Sequence, residues 1–158
     1  MIDKKRTAPF VKSFKEMMLV MGGIEINNSG DVYDFDGDLK SYGISASVSF
    51  AGNFKGRILL DMEKNVALKI SEHITGEKYE DIKDRMVLAC LTEILNTIGG
   101  DALTLLNDEL KAGLRLAPPI IFTGENVIIS IPKIPSVTLD SHCEYGKILF
   151  NVAVEGDK

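Results

Sequence analysis

In "LTEILNTIGGDALTLLND", residues 91–108, a carboxylate at Glu93 and a carboxamide at Asn96 stand three residues apart, and Gly100 follows four residues later. An ionised carboxylate grips a lysine or arginine through charge-assisted hydrogen bonds. An amide both donates to and accepts from a water molecule without changing its own charge. Together the two groups could fix a cationic partner and hold water beside it. That chemistry needs both side chains to point the same way from a rigid mount.

Helical periodicity supplies such a mount. At about 100° per residue, Ala89, Glu93, Asn96, Thr97 and Gly100 fall within roughly 60° of one direction. Leu91, Ile94, Leu95, Ile98, Ala102, Leu105 and Leu106 gather about the opposite direction, a continuous stripe for a core. The outward side lacks the lysines and glutamates of an ordinary solvated face: from Cys90 to Gly100 its one charge is Glu93. Each interior glycine costs about 1 kcal/mol relative to alanine, so Gly99 and Gly100 together draw on a folding margin of only about 5–15 kcal/mol. Two compensations fit: Gly99 points sideways, where another element could approach closely, and Gly100 leaves open surface one turn beyond Asn96. On periodicity alone the ordinary reading is the stronger one, in which Glu93 and Asn96 are plain surface residues and the glycines mark a kink.

The elements around this helix follow from pattern. A first helix is expected over 9–21, with Pro9 in its first turn and Gly22-Gly23 as its stop. A short strand is expected at 24–26. Alternation of Ile44, Ala46, Val48 and Phe50 with serines gives a half-buried strand, paired as a hairpin with 54–60 across "AGN". Asp61 is a candidate cap for a second helix ending at Gly76. The third and longest helix is expected over 84–110. "LRLAPPIIF" and "NVIISIP" flank "TGE" as a hairpin, "KIPSVTLDSH" suits a loop or edge strand because of its proline, and "YGKILFNVAV" completes the sheet. The predicted class is α+β, a mostly antiparallel sheet packed against long amphipathic helices, in a single domain over residues 1–158.

Bulk properties narrow the function. The chain has 158 residues, 45% of them apolar, and a net charge of −5. No basic run could track a phosphate backbone, which argues against nucleic acid. No stretch approaches about 18 apolar residues, which argues against membrane insertion. The basic, partly apolar start lacks signal-peptide form, so the cytoplasm is expected. Cys90 and Cys143 match no metal motif, and Cys90, within the helical pattern, suits a buried thiol. "DVYDFDGD" has the wrong spacing for a calcium loop, and His73 and His142 have no partner at ligand spacing. No metal site is expected.

"TEILNTIGG", with the form Glu-x-x-Asn-x-x-x-Gly, resembles the signature helix of the CheC/CheX/FliY family of chemotaxis phosphatases, and of CheX most closely. "FKGRILLDMEKNVALKISEHITGEKYED" is similar to the segment before that helix in CheX, and "LAPPIIFTGENV" to the segment after it. The likeness runs over about residues 9–154. It implies a CheC-like fold and a phosphatase acting on the aspartyl phosphate of a CheY-like receiver domain. In that role Glu93 would pair with a receiver lysine and Asn96 would orient the attacking water, with Ala89, Thr97 and Gly100 in contact with the partner. The resemblance further implies a Mg²⁺ supplied by the receiver, no cofactor of the chain's own, and a homodimer. Two positions depart from some members: Ala89 stands where others carry Asp or Ser, and Gly100 where others carry a second Asn. The first helix has no equivalent pair, since Leu19 follows Glu16, so one active site per chain is expected. Ala89 also keeps a rival reading in view, a receiver-binding or flagellar-switch-like module that does not hydrolyse.

Overall fold

The computed structural model describes residues 4–26, 32–34, 38–124, 126–130 and 134–155. The chain begins with helix α1, Lys4–Val20, whose buried residues Thr7, Phe10, Phe14 and Met18 repeat at helical spacing. The helix starts earlier than expected, and Pro9 lies inside it. Tertiary contacts account for the extension: the Arg6 guanidinium sits 4.0 Å over the Phe54 ring and donates to the Glu155 carbonyl at 2.7 Å. The stop is as expected. Gly23 adopts φ +66°, and the Ile24 amide bonds back to Met18.

Residues 24–26 form no strand. Instead β1 (Val32–Asp34) and β2 (Asp38–Lys40) arise from the acidic stretch, whose residues 31 and 35–37 lie outside the described residues. β3 (Ile44–Ala51) and β4 (Lys55–Met62) make the expected hairpin, with Ile44 opposite Met62 and Ala51 opposite Lys55. α2 (Lys64–Thr75) follows and ends at Gly76 in the left-handed region. Its N-cap position is Glu63, and Asp61 is no cap. β4 continues through Met62, paired with Ile44 on one side and Ile148 on the other, and this carries Asp61 into the sheet.

α3 spans Arg85–Leu110. The Asp84 side chain accepts from the Met86 amide at 2.9 Å, a true N-cap, and Lys111 closes the other end with φ 51°. β5 (Arg115–Leu116) and β6 (Ile120–Thr123) both pair with β3. β7 (Ile128–Ser130) pairs with β2, so the expected hairpin across "TGE" does not form. The ribbon of β2 and β7 gives Leu39 and Ile129 a place over Leu59 and Leu149, burial that a β6–β7 hairpin would forgo. β8 (Ser136–Cys143) is no edge strand: it lies between β1 and β9 (Gly146–Val154). Pro135 falls just before it, so the ladder loses no donor. The larger sheet is antiparallel, ordered β1-β8-β9-β4-β3-β5 with β6 also on β3.

The helices pack on one face of this sheet. Phe14 stacks on Phe150 with centroids 4.5 Å apart, and Phe10 on Phe50 at 5.0 Å. Ile94, Leu95 and Ile98 of α3 are fully buried in the same cluster. By length and composition α3 alone among the described helices could cross a bilayer, which the reading of the sequence had not counted; here its apolar stripe is buried in the core.

Candidate active site

α3 has two faces with different duties. Val87, Cys90, Leu91, Ile94, Leu95, Ile98, Gly99, Ala102, Leu103 and Leu106 are buried. The stripe matches the expected one except at Leu105, which is 41% exposed because it lies at the margin of the apolar arc. On the other side Ala89 and Glu93 are exposed, and Asn96, Thr97 and Gly100 are half-buried. All five expected residues therefore share one ridge, and Ala89, Glu93, Asn96 and Gly100 follow one another at about a turn, roughly 5 Å along the axis.

The ridge is sparing with its polar groups. The Thr97 hydroxyl donates to the Glu93 carbonyl at 2.8 Å, and the Thr104 hydroxyl to the Gly100 carbonyl at 2.9 Å. Both hydroxyls are thereby occupied by their own helix. The Glu93 carboxylate and the Asn96 amide have no hydrogen-bond or ion-pair partner among the described residues. They are the ridge's two polar groups with capacity left for another molecule.

The two glycines divide as the sequence suggested. A Cβ on Gly99 would stand 3.0 Å from Leu116 Cδ2 and 3.4 Å from Ile58 Cδ1, so its absence lets the sheet side press close. A Cβ on Gly100 would meet nothing within 4 Å. No packing demand explains Gly100, and its missing side chain leaves the ridge smooth there.

α1 carries no second copy of the pair. Glu16 is exposed, 4.0 Å from Lys12, and Leu19 occupies the position three residues on, 54% exposed. Cys90, beside the ridge but buried, has its thiol pushed up by desolvation, with the Ser71 hydroxyl opposing in part. It suits the packed, unreactive thiol read from the sequence. His73 Nδ1 lies 2.8 Å from the Met21 carbonyl. Among the described residues no group of three or more His, Cys, Asp or Glu could hold a metal.

A second carboxylate constellation lies on the opposite face of the sheet, and sequence reading missed it. Asp61 is 3% exposed. It accepts from the Ser41 hydroxyl at 2.7 Å, from the Tyr42 amide at 2.8 Å and from the Ser45 hydroxyl. Burial pushes its carboxyl above the ordinary range, the three hydrogen bonds oppose this, and the charge of Asp140 adds to the rise. The serines of β3, visible as the polar half of an alternating strand, were the signal that something polar faces them.

The family model described as chemotaxis phosphatase CheX matches residues 44–142, more than half of the chain and all of α3. A CheC-like superfamily protein from Shewanella sp. PV-4 is similar in fold, with a TM-score of 0.88, 24% identity, and 98% of this chain and 100% of that one covered. The chemotaxis protein CheX from Desulfovibrio desulfuricans aligns with a TM-score of 0.83 and 22% identity, over 96% of this chain and 99% of that one. A CheX–CheY–BeF3–Mg²⁺ complex from Borrelia burgdorferi contains a chain 29% identical, with a TM-score of 0.77 over 99% of this chain and 100% of that one. No curated protein sequence matches the chain.

Proposed function

The chain belongs to the CheX family of chemotaxis phosphatases, and from that premise we propose that it hydrolyses the aspartyl phosphate of a CheY-like receiver domain in the cytoplasm, through a single domain and one site per chain. The observation that carries this reading is the ridge of α3. It bears one carboxylate and one amide, both without partners among the described residues, on an otherwise small-residue surface. The Borrelia burgdorferi relative, found in complex with CheY, BeF3 and Mg²⁺, supports the choice of partner.

Hydrolysis of an acyl phosphate passes through a loose transition state, where catalysis is chiefly positioning and electrostatics. On docking, Glu93 pairs with a lysine of the receiver and fixes the register. Asn96, one turn further on, holds a water in line with the bond to be broken. The water oxygen bonds to phosphorus, the bond from phosphorus to the aspartyl oxygen breaks, and the receiver's aspartate leaves as a carboxylate. The water's proton passes to the inorganic phosphate or to solvent. The amide needs no charge of its own, since it acts by orientation. Mg²⁺ belongs to the receiver and neutralises the phosphoryl oxygens. Ala89 and Gly100 give clearance for the ridge to enter the receiver's pocket, and Thr97, its hydroxyl already occupied, offers shape.

A homodimer forms part of the same proposal. Ile120, Phe122, Val127 and Ile128 are all more than a third exposed around a cleft of about 260 Å³ between β6 and β7, with Arg57 among its lining residues. Burial pulls the Arg57 pKa down to about 10. Such an apolar surface on edge strands suits a second copy, and light scattering that returns a monomer removes this part.

The deciding experiment follows loss of label from a phosphorylated receiver with and without the protein, with Asn96→Ala as control. Receiver binding without faster label loss selects the non-catalytic reading, for which Ala89 is the supporting residue.

A further inference from the structure

The ridge that carries Glu93 and Asn96 extends further than the residues singled out from sequence. Met86, seven residues before Glu93, returns to within about 20° of the same direction after two turns. Its side chain is 48% exposed. Its backbone is fixed, because its amide donates to the Asp84 cap at 2.9 Å. Every other member of the ridge is small or polar: Ala89, Glu93, Asn96, Thr97, Gly100 and Thr104. Met86 is the ridge's one large apolar group.

Its place decides what it does. Side chains on a helix lean toward the N-terminus, so Glu93 and Asn96 tilt toward Met86, and Ala89 leaves a notch between Met86 and Glu93. A protein seated on Glu93 with an ordinary footprint of about 800 Å² per partner covers a radius of roughly 16 Å. Met86 is about 10 Å away along the axis, well inside that footprint. The Glu93 ion pair fixes register and supplies part of the affinity, and interfaces draw much of the rest from buried apolar anchors. Methionine is suited to this, since its flexible thioether chain adapts to an apolar hollow.

We infer that Met86 is the apolar anchor by which the receiver docks, seated in an apolar hollow beside the receiver's phosphorylation pocket, and that it sets affinity without taking part in hydrolysis. This inference rests on the receiver-phosphatase reading above. Burying one such side chain predicts that Met86→Ala raises the receiver KM about tenfold, with kcat within twofold of wild type. Met86→Leu restores most of the affinity and Met86→Glu weakens it further. A thermal melt confirms that the variants fold, as expected for a half-exposed side chain.

The test measures KM and kcat for wild type, the three Met86 variants and Asn96→Ala against one phosphorylated receiver. In parallel it measures affinity for the same receiver loaded with beryllofluoride. A raised KM with kcat preserved, matched by the loss of affinity, supports the anchor. A KM and affinity within twofold of wild type in Met86→Ala, or a fall in kcat at fixed KM, overturns it while leaving the phosphatase reading intact. If wild type neither accelerates dephosphorylation nor binds the loaded receiver, the phosphatase reading falls and the anchor with it.

Discussion

Two carboxylates in this molecule invite comparison. Asp61, on the far face of the sheet, has every need met by its own chain: two serine hydroxyls and a backbone amide converge on it. Glu93, on the outward ridge of α3, has no hydrogen-bond or ion-pair partner among the described residues, and neither has Asn96 beside it. Asp61 is buried and Glu93 exposed. A polar group satisfied from within, at the cost of desolvation, belongs to stability. A polar group held on a rigid element with its bonding capacity unused is free to serve another molecule, as the proposed function requires. Residue type alone separates nothing here, since both are acids beside hydroxyl-bearing neighbours.

The comparison can be broken from either side. The largest effect expected is on the ridge: Asn96→Ala lowers kcat by about 10²-fold or more, the scale of losing one preorganised polar group, with its melting temperature unchanged. Normal turnover would end the water-positioning role. Next comes Asp61→Ala, which orphans the Tyr42 amide and should cost about 2 kcal/mol of stability by chemical denaturation while sparing kcat. Asp61 also carries a pH signature. Its folded value lies above the ordinary 3.8, so the folded state holds the proton more tightly. The stability this gives is complete below the unfolded value and is lost as pH rises through the folded one. Wild type should therefore lose stability relative to Asp61→Asn as pH rises from the ordinary 3.8 through the higher folded value, and equal slopes in the two proteins would refute the burial account. Glu93→Ala should raise the receiver KM about tenfold and leave the melt alone. The smallest effect sharpens the contrast between the glycines: Gly100→Ala should stabilise the helix by about 0.5–1 kcal/mol and weaken docking. Gly99→Ala should destabilise, because Leu116 must yield.

What could be read in advance follows the range of the interactions. α3 and its ridge were legible because helical periodicity is local: residues three and four apart decide which way a side chain points. Its span, expected over 84–110, is observed as Arg85–Leu110. Asp61 was misplaced as a helix cap because the local signal, an acid before an apolar periodic run, was the only one available. Its partners Ser41 and Ser45 lie 20 and 16 residues away and meet it through the pairing of β3 with β4. β7 and β8 went astray for the same reason. "TGE" has the chemistry of a tight turn, yet among the described residues β6 pairs with β3 and β7 with β2, where Leu39 and Ile129 pack with Leu59 and Leu149. Pro135 suggested an edge, and it sits one residue outside a strand paired on both sides. Met86 escaped notice because a methionine is ordinarily core, although its helical direction already set it apart from Leu91 and Ile94, and its exposure bears that out.

The inner side of α3 is jammed between the sheet and its neighbouring helices, so its outer side inherits their stiffness. A tool mounted in this way cannot flex to suit the work brought to it. On the proposed function, whatever reshaping accompanies docking falls to the visiting domain, and phosphorylated and spent visitors alike meet the same fixed contour.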